Sequence, residues 1–381
     1  MKRYGLRVIP TSLLLVMTFF LKAQQITKPQ TTFNDHYLGE TLLDSLSVPE
    51  GFTIEIAASK LQSPRMISVG NPDELYVACS EPGEIFRLKD YTGDGTFDEV
   101  KAVTALQGIQ GITVHKGFLY ACTNRELKRA EIKPDGTLAP METLIDDLPD
   151  NGLHGVRTVN VGPDGMLYIA MGTCPDCKTD SNHDDITILK MRPEGNVPKV
   201  YAHGLRKTTS IAWHPETKEM WVVDQGLDVN QNVSLEELTR IIETSDDRSL
   251  AFADQKGLNN TGPGEAGAKP TEPLLTLPPH SEPVNIIFLG EEARFPAAYL
   301  NDALISIHGA WDRENPHGYL VNRIRFVNGM PAGITEFMHG FLSKDGKTRY
   351  GRPTGLAVSP KGYLYVSDDF NGVIYKVSAL K

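Results

Sequence analysis

One pattern recurs along this chain and constrains its fold more than any other feature. It consists of apolar alternation, a turn of Pro, Asp or Gly, and then a β-rich run carrying an aromatic residue. The copies are MISVGNPDELYVAC (Met66 to Cys79), ITVHKGFLYAC (Ile112 to Cys122), VNVGPDGMLYIAMG (Val159 to Gly172), IAWHPETKEMWVVD (Ile211 to Asp224) and LAVSPKGYLYVSDD (Leu356 to Asp369). A weaker copy runs through VNIIFLG and ALISIHG. Leu75, Leu119, Leu167, Met220, Leu304 and Leu364 hold equivalent places in these units. They recur at intervals of roughly 40–60 residues, with one longer gap between Met220 and Leu304. Alternation across a turn marks a β-hairpin, because side chains of period two must share one buried face. Six such units predict an all-β fold, a six-bladed β-propeller of four-stranded antiparallel blades.

Two segments depart from the repeat. Ser234 to Glu243 opens like a capping box, Ser234 with Glu237, and carries Leu235, Leu238, Ile241 and Ile242 as an apolar stripe, so it reads as a short helix. Residues 254–282 are rich in Gly and Pro and read as a long loop on one face, of the kind that builds a propeller's ligand mouth.

Composition agrees with a turn-rich globular protein. The chain holds 34 Gly and 25 Pro in 381 residues, and its 40% hydrophobic and 23% charged residues exclude a disordered or fibrous chain. The net charge of -10 is spread without a basic face, which excludes nucleic acid as a partner. At the amino terminus, Lys2, Arg3 and Arg7 precede an apolar run from Val8 to Leu21, and Ala23 is a small residue suited to a cleavage site. This is a signal-peptide layout, shorter than the ~20 apolar residues a membrane span needs. The expected organisation is therefore a signal peptide over 1–23, an extension over 24–50 and the propeller over 51–381. The mature protein is expected to be exported, periplasmic or secreted, and not membrane-spanning.

Export favours disulfides among the four cysteines. Cys174 and Cys177 form a CxxC pair, read as a structural disulfide because no second CxxC or His pair completes a zinc site. Cys79 and Cys122 end two similar strands and are the remaining candidates for pairing. Asp90 to Asp98 resembles the first half of a calcium loop but has Lys101 where the twelfth-position Glu belongs, so it reads as a turn between blades, with a bound calcium ion as the alternative.

Polar residues cluster just before or after the repeated strands, where a propeller faces its channel. His154 precedes the third unit, and a histidine can take a proton from a substrate hydroxyl. Arg206 precedes the fourth unit, Arg313 lies in the fifth and Arg352 precedes the sixth. Guanidinium forks at such places match a ligand with several carboxylates or a quinone oxygen; surface ion pairing is the plainer role for them. Asp224, Asp368 and Asp369 stand at strand ends, as turn formers or as ligands of a channel ion.

These residues sit in motifs that resemble a known family. GPDGMLYIAMGTCPDC, ILKMRPEG, YAHGLRKTTSIAWHPETKEMWVVDQG, HSEP, ISIHGAWDRENPHGY and GRPTGLAVSPKGYLYVSDD follow one another from about Leu61 to Val377. In order and spacing they resemble the soluble quinoprotein sugar dehydrogenases, the glucose/sorbosone dehydrogenase family, especially its sorbosone-dehydrogenase-like branch. The resemblance implies a propeller binding pyrroloquinoline quinone (PQQ) and calcium at its channel mouth. It implies oxidation of a sugar or sugar-derived aldehyde, with electrons passed to a respiratory acceptor. His154 then matches the catalytic base, and Arg206 matches a cation beside the reactive quinone oxygen. Lys207, Arg313 and Arg352 match cofactor-holding positions, and the carbonyls of Gly226 and Leu227 match calcium ligands. The chain departs from the family pattern at Lys207, where an amide is usual, at Leu153, where the glucose-oxidising branch often has an acid, and at Leu320, where the sorbosone-like branch often has a lysine. Two alternatives follow: a propeller without quinone that binds a saccharide or protein, and a calcium-dependent lactonase or hydrolase.

Overall fold

The computed structural model describes residues 40–148, 156–172, 186–203, 205, 207–225, 228–229, 232–233, 236–241, 274–310 and 316–380. A one-turn helix, α1 (Glu40–Ser45), precedes strand β1 (Phe52–Ala58). Blade 1 follows as β2 (Pro64–Val69), β3 (Glu74–Cys79), β4 (Glu84–Lys89) and β5 (Glu99–Ala105). Blade 2 is β6 (Ile109–His115), β7 (Phe118–Thr123), β8 (Leu127–Glu131) and β9 (Glu142–Ile145). Blade 3 is β10 (Arg157–Val161), β11 (Leu167–Met171), β12 (Ile186–Met191) and β13 (Lys199–His203). Blade 4 begins with β14 (Thr208–Trp213) and β15 (Met220–Asp224), then inserts a small hairpin of β16 (Asp228–Val229) and β17 (Asn232–Val233). It ends with β18 (Glu236–Ile241) and β19 (Leu275–Leu277). Blade 5 is β20 (Pro283–Phe288), β21 (Ala303–Ile307), β22 (Leu320–Val327) and β23 (Met330–Met338). Blade 6 is β24 (Pro353–Val358), β25 (Leu364–Asp368) and β26 (Val373–Ala379), and β1 supplies its outer strand, with Phe52 opposite Ala379.

The first strands β2, β6, β10, β14, β20 and β24 each touch the next, and β24 touches β2, which closes the ring of the predicted six-bladed propeller. The packing is tight at this axis. A Cβ on Gly355 of β24 would stand 2.3 Å from the Arg65 carbonyl of β2, and one on Gly111 of β6 would stand 2.8 Å from the Arg157 carbonyl of β10. Only glycine fits such a backbone approach. Side chains also tie one first strand to the next. Ser68 accepts from Val114 N–H at 3.0 Å, and Asn160 donates to the Ile211 carbonyl at 3.0 Å. Ser210 accepts from Ile286 N–H at 3.1 Å, Asn285 from Leu356 N–H at 2.8 Å, and Thr354 donates to the Pro64 carbonyl at 3.2 Å.

The repeat positions explain the core. Leu75, Leu119, Leu167, Met220, Leu304 and Leu364 all lie in second strands and are all buried. Second strands are buried on both faces because blades stack against each other, which is why these runs are almost continuously apolar. Full burial of each such side chain contributes about 2 kcal/mol. Within the stretch read as an extension, α1 places Leu42 in the core shared by blades 5 and 6, beside Phe337, Phe341 and Tyr375.

Four expectations are corrected. The segment from Ser234 is not a helix over its described part: Glu236–Ile241 is β18, paired with β15 through Met220 opposite Ile241. Blade 4 needs a third strand, and Leu238 and Ile241 fall on opposite faces of it, packing into two different inter-blade cores. The apolar stripe at helical spacing is thus two strand faces read together, and tertiary demand overrides the local pattern. The supposed loop over 254–282 contains β19, the outer strand of blade 4, at Leu275–Leu277. Cys79 and Cys122 do not pair; both are free and buried, in the blade 6–blade 1 core and the blade 2–blade 3 core respectively. Burial pushes both thiols up to about 12, with the Cys79 shift offset in part by a hydrogen bond at Gln62 and the Cys122 shift by the charge of Arg157. The Asp90–Asp98 turn joins β4 to β5 inside blade 1 rather than linking blades. Its carboxylates are occupied by the turn itself: Asp90 accepts from Gly93 and Gly95 N–H at 2.6 and 2.8 Å, and Asp98 from Tyr91 N–H at 2.7 Å. Cys174 and Cys177 lie outside the described residues, and among the described residues no helix is long and apolar enough to cross a membrane.

Candidate functional site at the channel mouth

First strands start, and second strands end, on the same side of every blade. Thr208 is opposite Asp224, Pro283 opposite Ile307, and Pro353 opposite Asp368. At this side of the ring the strand ends carry the buried polar residues Asp224, His308, Asp368 and Asp369. Of the residues assigned from sequence, His154, Arg206, Gly226, Leu227 and Arg313 lie outside the described residues. Lys207 and Arg352 are described, and both stand at this mouth.

Arg352, one residue before β24, donates from Nε to Asp369 Oδ1 at 2.5 Å, and its backbone N–H reaches Asp368 Oδ1 at 3.0 Å. Asp369 follows the end of β25 and its side chain is fully buried. Its second oxygen receives Arg65 NH1 from β2 at 3.3 Å and His308 Nε2, just past β21, at 3.0 Å. His308 Nδ1 in turn lies 3.2 Å from Glu282, one residue before β20. Three blades thus meet at one carboxylate. Burial alone would raise Asp369, but the His308 hydrogen bond and the charges of His308, Arg352 and Arg65 outweigh it and hold the carboxyl well below its usual range. Glu282 is also lowered, despite burial, by its bond to His308 and by the charges of His308, Lys207 and Arg65.

This cluster is a cationic platform. Arg65 and Arg352 each commit one described nitrogen to Asp369, and their side chains remain 31% and 29% exposed. Guanidinium groups so placed suit a ligand carboxylate, which they can meet in bidentate fashion. A third guanidinium, Arg349, stacks over the Phe370 ring at 4.0 Å. Burial, together with the charge of Arg352, lowers its proton affinity. The Ser281 hydroxyl beside Glu282 is buried and has no hydrogen-bond partner among the described residues. An anion with hydrogen-bonding oxygens fits this donor set.

Blade 4 presents the opposite electrostatic picture. Asp224 ends β15, accepts from Thr208 Oγ1 at 3.1 Å, and lies directly across from Glu237 of β18. Both carboxyl groups are buried, and burial followed by the Asp224 charge pushes Glu237 up to about 7. Gln225, which leads into the Gly226–Leu227 stretch, donates from its side chain to the Pro283 carbonyl at 3.3 Å. Leu320, one of the departures from the family pattern, begins β22 opposite Ile307 and packs against the blade 4–blade 5 core.

Arg65, Glu282 and His308 were not picked out in the sequence as site residues, and Asp369 was read only as a turn former or metal ligand. Glu282 and His308 do lie inside the quoted HSEP and ISIHGAWDRENPHGY motifs, which is the signal that marks them.

Comparison with known proteins agrees with the fold. The TrAA12-like family model matches residues 46–246 and 244–380. An uncharacterized protein of Borreliella burgdorferi is 24% identical over 89% of this chain and 92% of its own length. The PQQ-dependent pyranose dehydrogenase of Coprinopsis cinerea is 22% identical over 88% of this chain, which spans 55% of that longer protein. The holo structure of its PQQ domain superposes with a TM-score of 0.69 at 20% identity, covering 87% of this chain and 97% of that domain. A calcium structure of the Trichoderma reesei carbohydrate-active enzyme of family AA12 gives a TM-score of 0.68 at 19% identity, covering 88% and 97%. With the match to the family model running through all six blades, the chain belongs to the TrAA12-like family.

Proposed function

We propose that this protein is an exported, PQQ- and calcium-dependent oxidoreductase that oxidises a sugar hydroxyl or sugar-derived aldehyde and passes electrons to a respiratory acceptor. The observation that carries the proposal is the cationic platform of Arg65, Arg352 and Lys207 around Glu282, His308 and Asp369, in a family whose relatives include a PQQ-dependent pyranose dehydrogenase. When bound, PQQ supplies a hydride acceptor and calcium a Lewis acid. Arg352, Lys207 and Arg313 hold the carboxylates and oxygens of the cofactor, and the Gly226 and Leu227 carbonyls hold the ion. His154 takes the proton from the substrate hydroxyl, and Arg206 stabilises negative charge that develops beside it.

Reconstitution of the purified protein with PQQ and calcium tests this reading. Binding is followed by calorimetry and by the quinone absorbance, and turnover by dye reduction with a panel of aldoses and uronic sugars. The expected result is tight binding with dye reduction that His154→Ala abolishes. No quinone binding at concentrations far above micromolar would overturn the proposal, and saccharide binding without it would make the mouth a binding site only.

A further inference from the structure

The mouth contains a histidine that the catalytic assignment leaves unused. His308 is almost fully enclosed, and each ring nitrogen lies within hydrogen-bonding distance of a different carboxylate, Glu282 at 3.2 Å and Asp369 at 3.0 Å. An ionised carboxylate only accepts hydrogen bonds, whereas a neutral imidazole donates from one nitrogen and accepts at the other. Both contacts are satisfied together only when both nitrogens carry protons. The groups around the ring agree with that state. Glu282 precedes β20, Asp369 follows β25, and both carboxyl groups are held in their ionised form by burial-resistant partners. Around these carboxylates stand the cations Arg65 on β2, Lys207 before β14, and Arg352 and Arg349 before β24, together with one more carboxyl, the buried Asp368, which accepts from the Arg352 N–H and is raised by burial.

We propose that His308 is a positioning residue, an imidazolium that bridges blade 5 to blade 6 and fixes the carboxylate on which Arg65 and Arg352 are aimed. This inference rests on the reading that the mouth takes PQQ, and it names the residue that orders the anion platform for it. The bridge spans the seam between two blades, so it acts on Arg352 through Asp369 and on the blade 5 side through Glu282. Loss of the ring proton removes one positive charge from the mouth and leaves one carboxylate without its donor. That carboxylate then competes with an incoming ligand for the arginines. Affinity for a carboxylate ligand is therefore expected to fall when His308 is replaced by a neutral side chain.

Two measurements test this, one of which needs no cofactor. Nitrogen-15 spectra of the apo protein labelled at histidine and arginine should show both His308 ring nitrogens protonated at pH 7, and Glu282→Gln should leave one of them unprotonated. In the same samples the Arg352 Nε–H signal, slowed in exchange by its bond to Asp369, should be present in the wild type and lost in His308→Gln. A neutral His308 ring in the wild type, or an Arg352 signal indifferent to His308→Gln, would overturn the proposal. Calorimetric titration with PQQ then reads the consequence. His308→Gln should weaken PQQ binding about tenfold at pH 7, the effect of one charge interaction. Unchanged affinity in a variant with a wild-type melting temperature would also overturn it. Failure of the wild type itself to bind PQQ would sink the functional reading instead, and the spectra would still decide the bridge.

Discussion

Blades 4 and 6 both carry buried carboxylates at the mouth ends of their strands, and two of these, Glu237 and Asp369, behave in opposite ways. In blade 6, Asp369 lies just past the second strand and is surrounded by Arg65, His308 and Arg352, so it stays ionised far below the ordinary carboxylate range. In blade 4, Glu237 faces Asp224 across the second and third strands and is pushed up to about 7 by burial and by that neighbouring charge. What differs is whether neighbouring blades send cations to the carboxylate. Blades 5 and 1 deliver His308 and Arg65 to blade 6. The charge of the mouth is therefore written at the seams between blades rather than within any one of them.

The sharpest way to break this contrast is to remove the hub. Asp369→Ala leaves two arginines and a histidine beside an apolar stub, and should cost about 3–5 kcal/mol in urea denaturation, the usual effect of stripping one partner from a buried charge cluster. The next test is a difference in pH slope. Glu237 has a folded value of about 7 against an ordinary 4.5, so the folded state holds the extra proton between them and stability falls as pH rises through that window. The loss should approach roughly 3 kcal/mol, and Glu237→Gln should flatten it. Asp369 has the opposite sign: its depressed value gives stability that is present above the unfolded value and lost as pH falls through the folded one. Urea midpoints at pH 3, 5 and 8 for the wild type, Glu237→Gln and Asp369→Asn separate the two slopes.

Smaller effects sharpen the picture. Arg352→Ala should cost about 2 kcal/mol and Arg65→Ala about 1 kcal/mol, because the 2.5 Å contact of Arg352 is shorter than the 3.3 Å contact of Arg65. Double-mutant cycles with Asp369→Asn measure each coupling. Smallest of all is Lys361→Ala on the far side of the ring, where a 28% exposed lysine meets Asp73 and Asp90. About 0.5 kcal/mol is expected there, and a larger loss would show that the far side matters as much as the mouth.

The difference between the two blades also marks what the sequence could reveal. The six second strands were legible because each must be apolar on both faces, and Leu75 through Leu364 carry that demand in local residues. Arg352 stood out because it precedes a repeat unit, and Lys207 because it departs from the pattern of the family that the chain resembles. His308 and Asp369 lie 61 residues apart and meet only because blades 5 and 6 are neighbours, which no local window displays. The same holds for Arg65, which reaches Asp369 across the point where the ring closes. Blade 4 misled in two ways. Leu238 and Ile241 sit at helical spacing yet serve two separate cores, and β19 is only three residues long inside a Gly- and Pro-rich stretch. Cys79 and Cys122 end similar strands, but similarity of position in two blades means separation in space.

Strand β1 has one more consequence, and it concerns time. Its partner β26 is made last, with Phe52 waiting for Ala379 before the sixth blade is complete. A chain emerging from the ribosome can form blades 1 to 5 from nearby residues, but the ring stays open until more than three hundred residues have followed β1 into view. Closure then joins segments of the largest sequence separation in the molecule, a step that topology makes slow. Arg65 and Asp369 come together only at that moment, so the platform at the mouth is assembled last, and a chain interrupted before blade 6 would lack it.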